Sequence, residues 1–236
     1  WVVGIVRVPE EIHRPRQGSI ALKVDSFVDS HCHLADEAFR EDLRAVIERA
    51  REAGVGGALC VLDATNAEES ERAKEVAMLW PSVRFAVGVH PHQAGLFVGR
   101  MDDVEIQLKS AIVKRRGVCA VGEIGLDYHY DFAPREAQRE VFRRQIRVAR
   151  ELNHPVVIHS READEDTVRL LTEEVPSITG VFHCFSGDAV MAQRAVALGF
   201  YVSFSGIATF RSAESVREAA ATVPTERLLV ETDSPY

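Results

Sequence analysis

A chain of 236 residues, 46% of them hydrophobic, is long enough to bury a sizeable core in one large α/β domain. Its 28 basic and 36 acidic residues leave a net charge of -8, which argues against broad nonspecific adsorption to nucleic acid or acidic membranes, though not against a nucleic-acid substrate. A bound divalent cation would supply the local positive field that the side chains lack.

The opening run Trp1 to Val8 is apolar but short, is broken by Arg7 and is followed by Pro9 and a charged stretch, so it reads as neither a membrane span nor a signal peptide. Residues 1–25 are an N-terminal extension, and residues 26–236 are the expected domain. No later run approaches membrane-spanning length. Cys32, Cys60, Cys119 and Cys184 lack paired CxxC spacing, as expected of reduced cysteines in a soluble, cytoplasmic protein.

From residue 26 onward, short apolar runs alternate with longer amphipathic ones, the pattern of repeated βα units around a parallel sheet. Eight strands are predicted: Ser26 to Ser30, Gly57 to Leu62, Val83 to Val89, Val118 to Gly122, Pro155 to His159, Thr179 to His183, Phe200 to Phe204 and Arg227 to Glu231. Most are continuous apolar runs, as strands buried on both faces should be. Between them, Leu43, Val46, Ile47 and Ala50 form one helical stripe, and Val141, Gln145, Val148 and Leu152 form another. Pro134 falls at a helix start, and Gly54 and Gly199 fall at helix ends.

Eight strands with seven intervening helices predict a (β/α)8 TIM barrel lacking its last helix, with Trp1 to Val8 as one candidate cover for the eighth strand. The competing fold is an open doubly wound sheet, which would gather its ligands at one topological switch point.

Five of the predicted strands end in metal-binding residue types. His31 and His33 share one face of a strand because side chains alternate with a period of two, so both imidazoles can grip one ion; Asp29 lies on the same face. Glu123, between Gly122 and Gly125, has two carboxylate oxygens and can bridge two cations roughly 3.5 to 4 Å apart. His159 and His183 end consecutive strands and can ligate the second ion. Asp233 can hold the first and accept a proton from an activated water.

The segments Asp29-Ser-His-Cys-His-Leu34, Gly88-Val-His-Pro-His92, Val121-Gly-Glu-Ile-Gly-Leu-Asp-Tyr128, Ile158-His-Ser-Arg-Glu-Ala163, Phe182-His-Cys-Phe-Ser-Gly187 and Glu231-Thr-Asp-Ser-Pro-Tyr236 closely resemble the TatD family of metal-dependent deoxyribonucleases. The resemblance implies an amidohydrolase-like barrel with two divalent ions, magnesium or manganese for activity and zinc as an alternative. By motif, His31, His33, Glu123 and Asp233 would bind one ion, and Glu123, His159 and His183 the other. It implies phosphodiester hydrolysis of DNA, including 3′ to 5′ exonuclease activity. Asp233 and Glu123 would then be catalytic, and single strands or 3′ ends the expected partner. No obligate protein partner is evident.

Arg161 is suited to a bidentate phosphate contact, with a salt bridge to Glu162 or Asp164 as its other reading. His90 and His92 are candidates for phosphate contact or ligand orientation, with turn structure around Pro91 as their other reading. Tyr128 and Phe185 are candidates for base stacking, with packing as their alternative. Two other functions fit the same ligand set: an amidase, lactonase or phosphotriesterase acting on a small molecule, or an inactive metal-stabilised scaffold.

Overall fold

A computed structural model describes residues 26–174 and 178–236. The expected strand at Ser26 to Ser30 is β1, Phe27–Cys32, and those that follow are β2 (Val55–Asp63), β3 (Arg84–Gly88), β4 (Val118–Asp127), β5 (Val156–Arg161), β6 (Gly180–Phe182), β7 (Tyr201–Phe204) and β8 (Leu228–Val230). All neighbouring pairs are parallel, and the strands lie side by side in chain order. A doubly wound sheet would reverse that order at its switch point; none occurs.

The last strand returns to the first. Ser30 Oγ donates to the Val230 carbonyl at 3.1 Å, Asp233 N–H to the His31 carbonyl at 2.9 Å and His33 N–H to the Ser234 carbonyl at 2.8 Å. The sheet is therefore a nearly closed TIM barrel.

Among the described residues, seven α-helices alternate with the strands: α1 (Leu43–Glu52), α2 (Ala67–Leu79), α3 (Asp103–Lys114), α4 (Arg135–Leu152), α5 (Asp164–Glu174), α6 (Ala189–Ala197) and α7 (Glu214–Thr222). The stripe read in α1 faces inward, with Leu43 and Ile47 buried and Val46 and Ala50 packed against the core. Gly54 and Gly199 follow the ends of α1 and α6 at φ of +89° and +87°, a left-handed conformation that glycine adopts without penalty. The proposed packing of Trp1 to Val8 on β8 lies outside the described residues.

Two of the apolar clusters position the site. The larger joins the strands to the helices, with Phe85, Phe142, Phe182 and Phe200 almost fully buried. The smaller draws Val61, Ala86, Ala120, Val157 and Val181 from β2 to β6, one residue per strand, with Leu59 and Leu229 against them. Side chains meeting across five strands in this way fill the barrel interior, so the site above stands on a packed floor.

The strand bounds differ from expectation in one way that matters for the site. β4 continues beyond Gly122 through Asp127, so Glu123 lies within the strand rather than at its end. A register shift against β5 between Gly122 and Ile124 leaves Glu123 without a partner, and an irregularity of that kind re-aims a side chain.

Candidate metal centre

Glu123 sits on β4 where both β3 and β5 approach closely. A Cβ on Gly88 would fall 2.7 Å from the Glu123 carbonyl oxygen, and one on Gly125 would collide with the His159 carbonyl. These two glycines let the histidine-bearing strands close on the carboxylate.

The two oxygens of Glu123 face different groups. Oε2 lies 3.6 Å from His31 Nε2 and 3.9 Å from His33 Nε2. Asp233 Oδ1 joins that side, at 3.5 Å and 3.6 Å from the same two nitrogens, which are themselves 3.0 Å apart. Oε1 lies 2.7 Å from His159 Nδ1, 2.6 Å from His183 Nε2 and 3.5 Å from His90 Nε2. The structure thus gathers all six residues expected to bind metal, and it adds His90 to the second side.

The donor chemistry fits a cation. His159 lies between two carboxylates, with Nε2 3.0 Å from Asp127 Oδ2 and Nδ1 2.7 Å from Glu123 Oε1. A neutral imidazole has one ring proton; given to Asp127, it leaves lone pairs of His159, His183 and Glu123 converging on one point. Three sets of donor atoms, each set within 4.8 Å, can be drawn: His31, His33 and Asp233; His90, Glu123 and His159; and His31, His183 and Glu231. The Nδ1 atoms of His31 and His183 are buried without a hydrogen-bond partner among the described residues, His183 Nδ1 lying 3.5 Å from Glu231 Oε1.

Electrostatics divide the donors. Burial, then His183, pushes the His31 imidazole well below its ordinary pKa, so it stays neutral and keeps a lone pair to give. Burial works against the charged form of Glu123, but His183 and His90, with hydrogen bonds from His159 and His183, hold its carboxyl well below the usual range. Burial likewise opposes ionisation of Asp127, yet hydrogen bonds from His159, the Tyr130 backbone and His92 hold it below that range as well. Burial opposes protonation of His183, His159 and His33, but Glu123 and Glu231 raise the His183 imidazole well above its ordinary range, and carboxylate partners raise the other two as well. A cation would bind here by displacing their protons.

Several groups that orient the donors were not read from the sequence. Asp127 is fully buried and receives His92 Nε2, at 3.0 Å, as well as His159. Two buried glutamines of α4 brace the strand ends. Gln138 accepts from Asp127 N–H and donates to its carbonyl at 2.8 and 3.0 Å; Gln145 does the same for Val89 at 2.7 and 2.9 Å. Glu231 Oε1 accepts from Cys184 N–H at 2.5 Å. The period-two alternation of an extended strand was a usable signal for Asp127, four residues after Glu123. None marked the glutamines, since Gln145 reads simply as part of a helical stripe.

Asp29 does not join the donors. Its carboxylate accepts from Thr232 Oγ1 at 2.6 Å and Thr232 N–H at 3.0 Å, fixing the turn that presents Asp233, and burial pushes its pKa up to about 6.

Above the donors a pocket of about 750 Å³ opens, lined in part by His90, His92, Tyr130, Arg161, Phe210 and Tyr236. Arg161 is exposed and has no ion pair among the described residues. Glu162 pairs with His129, Asp164 accepts from Ser160, and the Arg161 guanidinium lies over the Tyr130 ring at 4.9 Å. Tyr128 and Phe185 do not line the pocket as stacking surfaces. The Tyr128 hydroxyl donates to Asp166 at 2.6 Å, and Phe185 is buried against Phe204. The aromatic ring that β4 delivers to the pocket is Tyr130, two residues further on.

An α/β barrel with histidines and carboxylates converging at the mouth of its strands is the architecture of a metal-dependent hydrolase. Comparison with known proteins narrows the class. The family described as TatD related DNase matches residues 28–236. The uncharacterized metal-dependent hydrolase YcfH of Escherichia coli (strain K12) is 41% identical over 213 residues, 89% of this chain and 77% of that protein. The 3'-5' ssDNA/RNA exonuclease TatD of the same strain is 35% identical over 210 residues, 88% of this chain and 78% of that protein. Among solved structures, the TatD homolog YJJV from Escherichia coli K12 superposes with a TM-score of 0.77 at 33% identity, over 88% of this chain and 79% of its own. The chain belongs to the TatD family and is a metal-dependent hydrolase. No helix among the described residues is long and apolar enough to cross a membrane.

Proposed function

We propose that the protein hydrolyses phosphodiester bonds at the 3′ ends of single-stranded DNA, using two divalent ions. The observation that carries this reading is the division of Glu123, with Oε2 toward His31, His33 and Asp233 and Oε1 toward His159, His183 and His90. The name of the TatD relative, a ssDNA/RNA exonuclease, supports the choice of substrate.

His31, His33, Glu123 and Asp233 would hold one ion, and Glu123, His159 and His183 the other, with His90 beside it. Magnesium or manganese suits the carboxylates, and zinc suits the imidazoles. Bound there, the ions would supply Lewis acidity toward a phosphoryl oxygen and lower the pKa of water. The protein's own groups do the rest. Asp233 Oδ1 faces the histidines, which leaves Oδ2 to take the proton of the attacking water. Asp127 fixes the tautomer and the angle of His159. Arg161, without a carboxylate partner among the described residues, receives a phosphate at the rim. A cytoplasmic location is part of this reading and rests on four cysteines without disulfides.

A second reading, hydrolysis of a small-molecule ester, lactone or amide, is favoured by the pocket itself, whose volume of about 750 Å³ lies within the span of small-ligand sites. One assay separates the two. Manganese-loaded protein should degrade single-stranded DNA from its 3′ end in preference to aryl esters, lactones and cyclic amides. Glu123→Ala should lose bound metal by elemental analysis and at least about a thousandfold in rate, the scale of several kcal/mol of metal catalysis. Near-normal activity in that variant would reject the assignment.

A further inference from the structure

The rim of the pocket carries a surface that the donor cluster does not use. Tyr130 and Phe132, on the turn after β4, are 47% and 69% exposed. Single exposed aromatics are ordinary on protein surfaces, but these two are arranged. Their rings lie within 9° of parallel with centroids 5.4 Å apart, and Arg161 stands over the Tyr130 ring.

The pair is also tied to the metal centre. The His92 ring packs edge-on to Phe132 at 4.8 Å and to Tyr130 at 5.7 Å. His92 in turn shares Asp127 with His159, whose other nitrogen faces Glu123. A flat aromatic surface backed by a cation thus stands one side chain away from a candidate metal ligand. Phe132, the more exposed of the two, offers the ring open to a further planar group.

We propose that Tyr130 and Phe132 form a platform on which an unpaired base at the end of a single-stranded nucleic acid stacks while the adjoining phosphodiester lies at the histidine–carboxylate cluster. The proposal rests on the nuclease reading and deepens it by naming what selects single strands. Within a duplex the bases are paired and stacked on their neighbours, with only the outer face of the last pair open, whereas an unpaired end is free to turn its base onto an exposed ring. Arg161 beside the rings supplies the positive charge that the strand's phosphates need on a protein whose net charge is -8. Every base has a π-face, so such a platform grips a strand without reading its sequence.

The test couples substrate to side chain. Values of kcat/KM are measured with manganese-loaded protein on two substrates, a single-stranded oligothymidylate and the same strand with abasic residues at its three 3′-terminal positions. Wild-type protein should prefer the natural strand by about tenfold or more, the size of one base–aromatic stack. In Phe132→Ala and in Tyr130→Ala the preference should collapse toward one, and Phe132→Tyr should restore it. Bound-metal content of each variant shows that the fold is intact. Cleavage of both strands with the wild-type preference retained in the alanine variants would overturn the platform and leave the nuclease reading standing. Failure of wild-type protein to cleave either strand, with hydrolysis of a small ester intact, would overturn both.

Discussion

At the floor of the pocket, His31 is fully buried and other donors are held from behind: Asp127 holds His159, Glu231 approaches His183, and Gln145 clamps the backbone just before His90. At the rim, Phe132 is 69% exposed, and the aromatic rings and Arg161 touch one another with few polar ties. Metal chemistry tolerates little displacement, so its ligands are held by packing and buried hydrogen bonds. A substrate that must enter and leave asks for open surface with local charge instead. The same barrel supplies both because strand interiors are rigid and the segments following them are free to vary.

That contrast can be broken by perturbing each region in turn. Gln145→Ala removes the partners of both the Val89 N–H and its carbonyl, and unmade buried hydrogen bonds cost about 1–3 kcal/mol each. Urea unfolding should show a loss of about 2–4 kcal/mol; a loss below about 0.5 kcal/mol would mean that the floor is not braced in this way.

Asp127→Asn should act on metal rather than on folding. Asparagine keeps an acceptor for the His129 and Tyr130 N–H groups but no longer imposes one tautomer on His159. Titration calorimetry with manganese should record affinity lower by about 10- to 100-fold, with the melting temperature of the metal-free protein little changed. An unaltered affinity would remove Asp127 from the centre's support.

Arg161→Ala should have the smallest effect. The KM for single-stranded DNA should rise roughly fivefold, about 1 kcal/mol, with kcat within about twofold and a shallower dependence on salt. A collapse of kcat instead would place Arg161 at the reacting phosphate and blur the line between floor and rim.

Much of the floor was legible in the sequence. His31 and His33 share a face because an extended strand repeats every two residues, and His159, His183 and Asp233 lie in or shortly after apolar runs that give way to polar side chains. The barrel followed from counting such runs, because parallel strands buried on both faces leave no alternation to confuse them. Glycine positions carried meaning for the same local reason: Gly54 and Gly199 take backbone angles that other residues avoid.

What only the tertiary structure decided depends on contacts between segments far apart in the chain. That Glu123 lies inside β4 rather than at its end follows from the register with β5. That Gln138 and Gln145 serve the strands rather than the solvent follows from which face of α4 is buried, and that Asp29 supports the Asp233 turn instead of a metal follows from its meeting Thr232 some two hundred residues later. The choice between Tyr128 and Tyr130 was of the same kind. Both follow the same motif, and only the positions of Asp166, Arg139 and Arg161 turn one away from the pocket and lay the other along its edge. Local periodicity fixes which way a side chain points from its own strand, whereas what it meets there is set by the packing of the other seven.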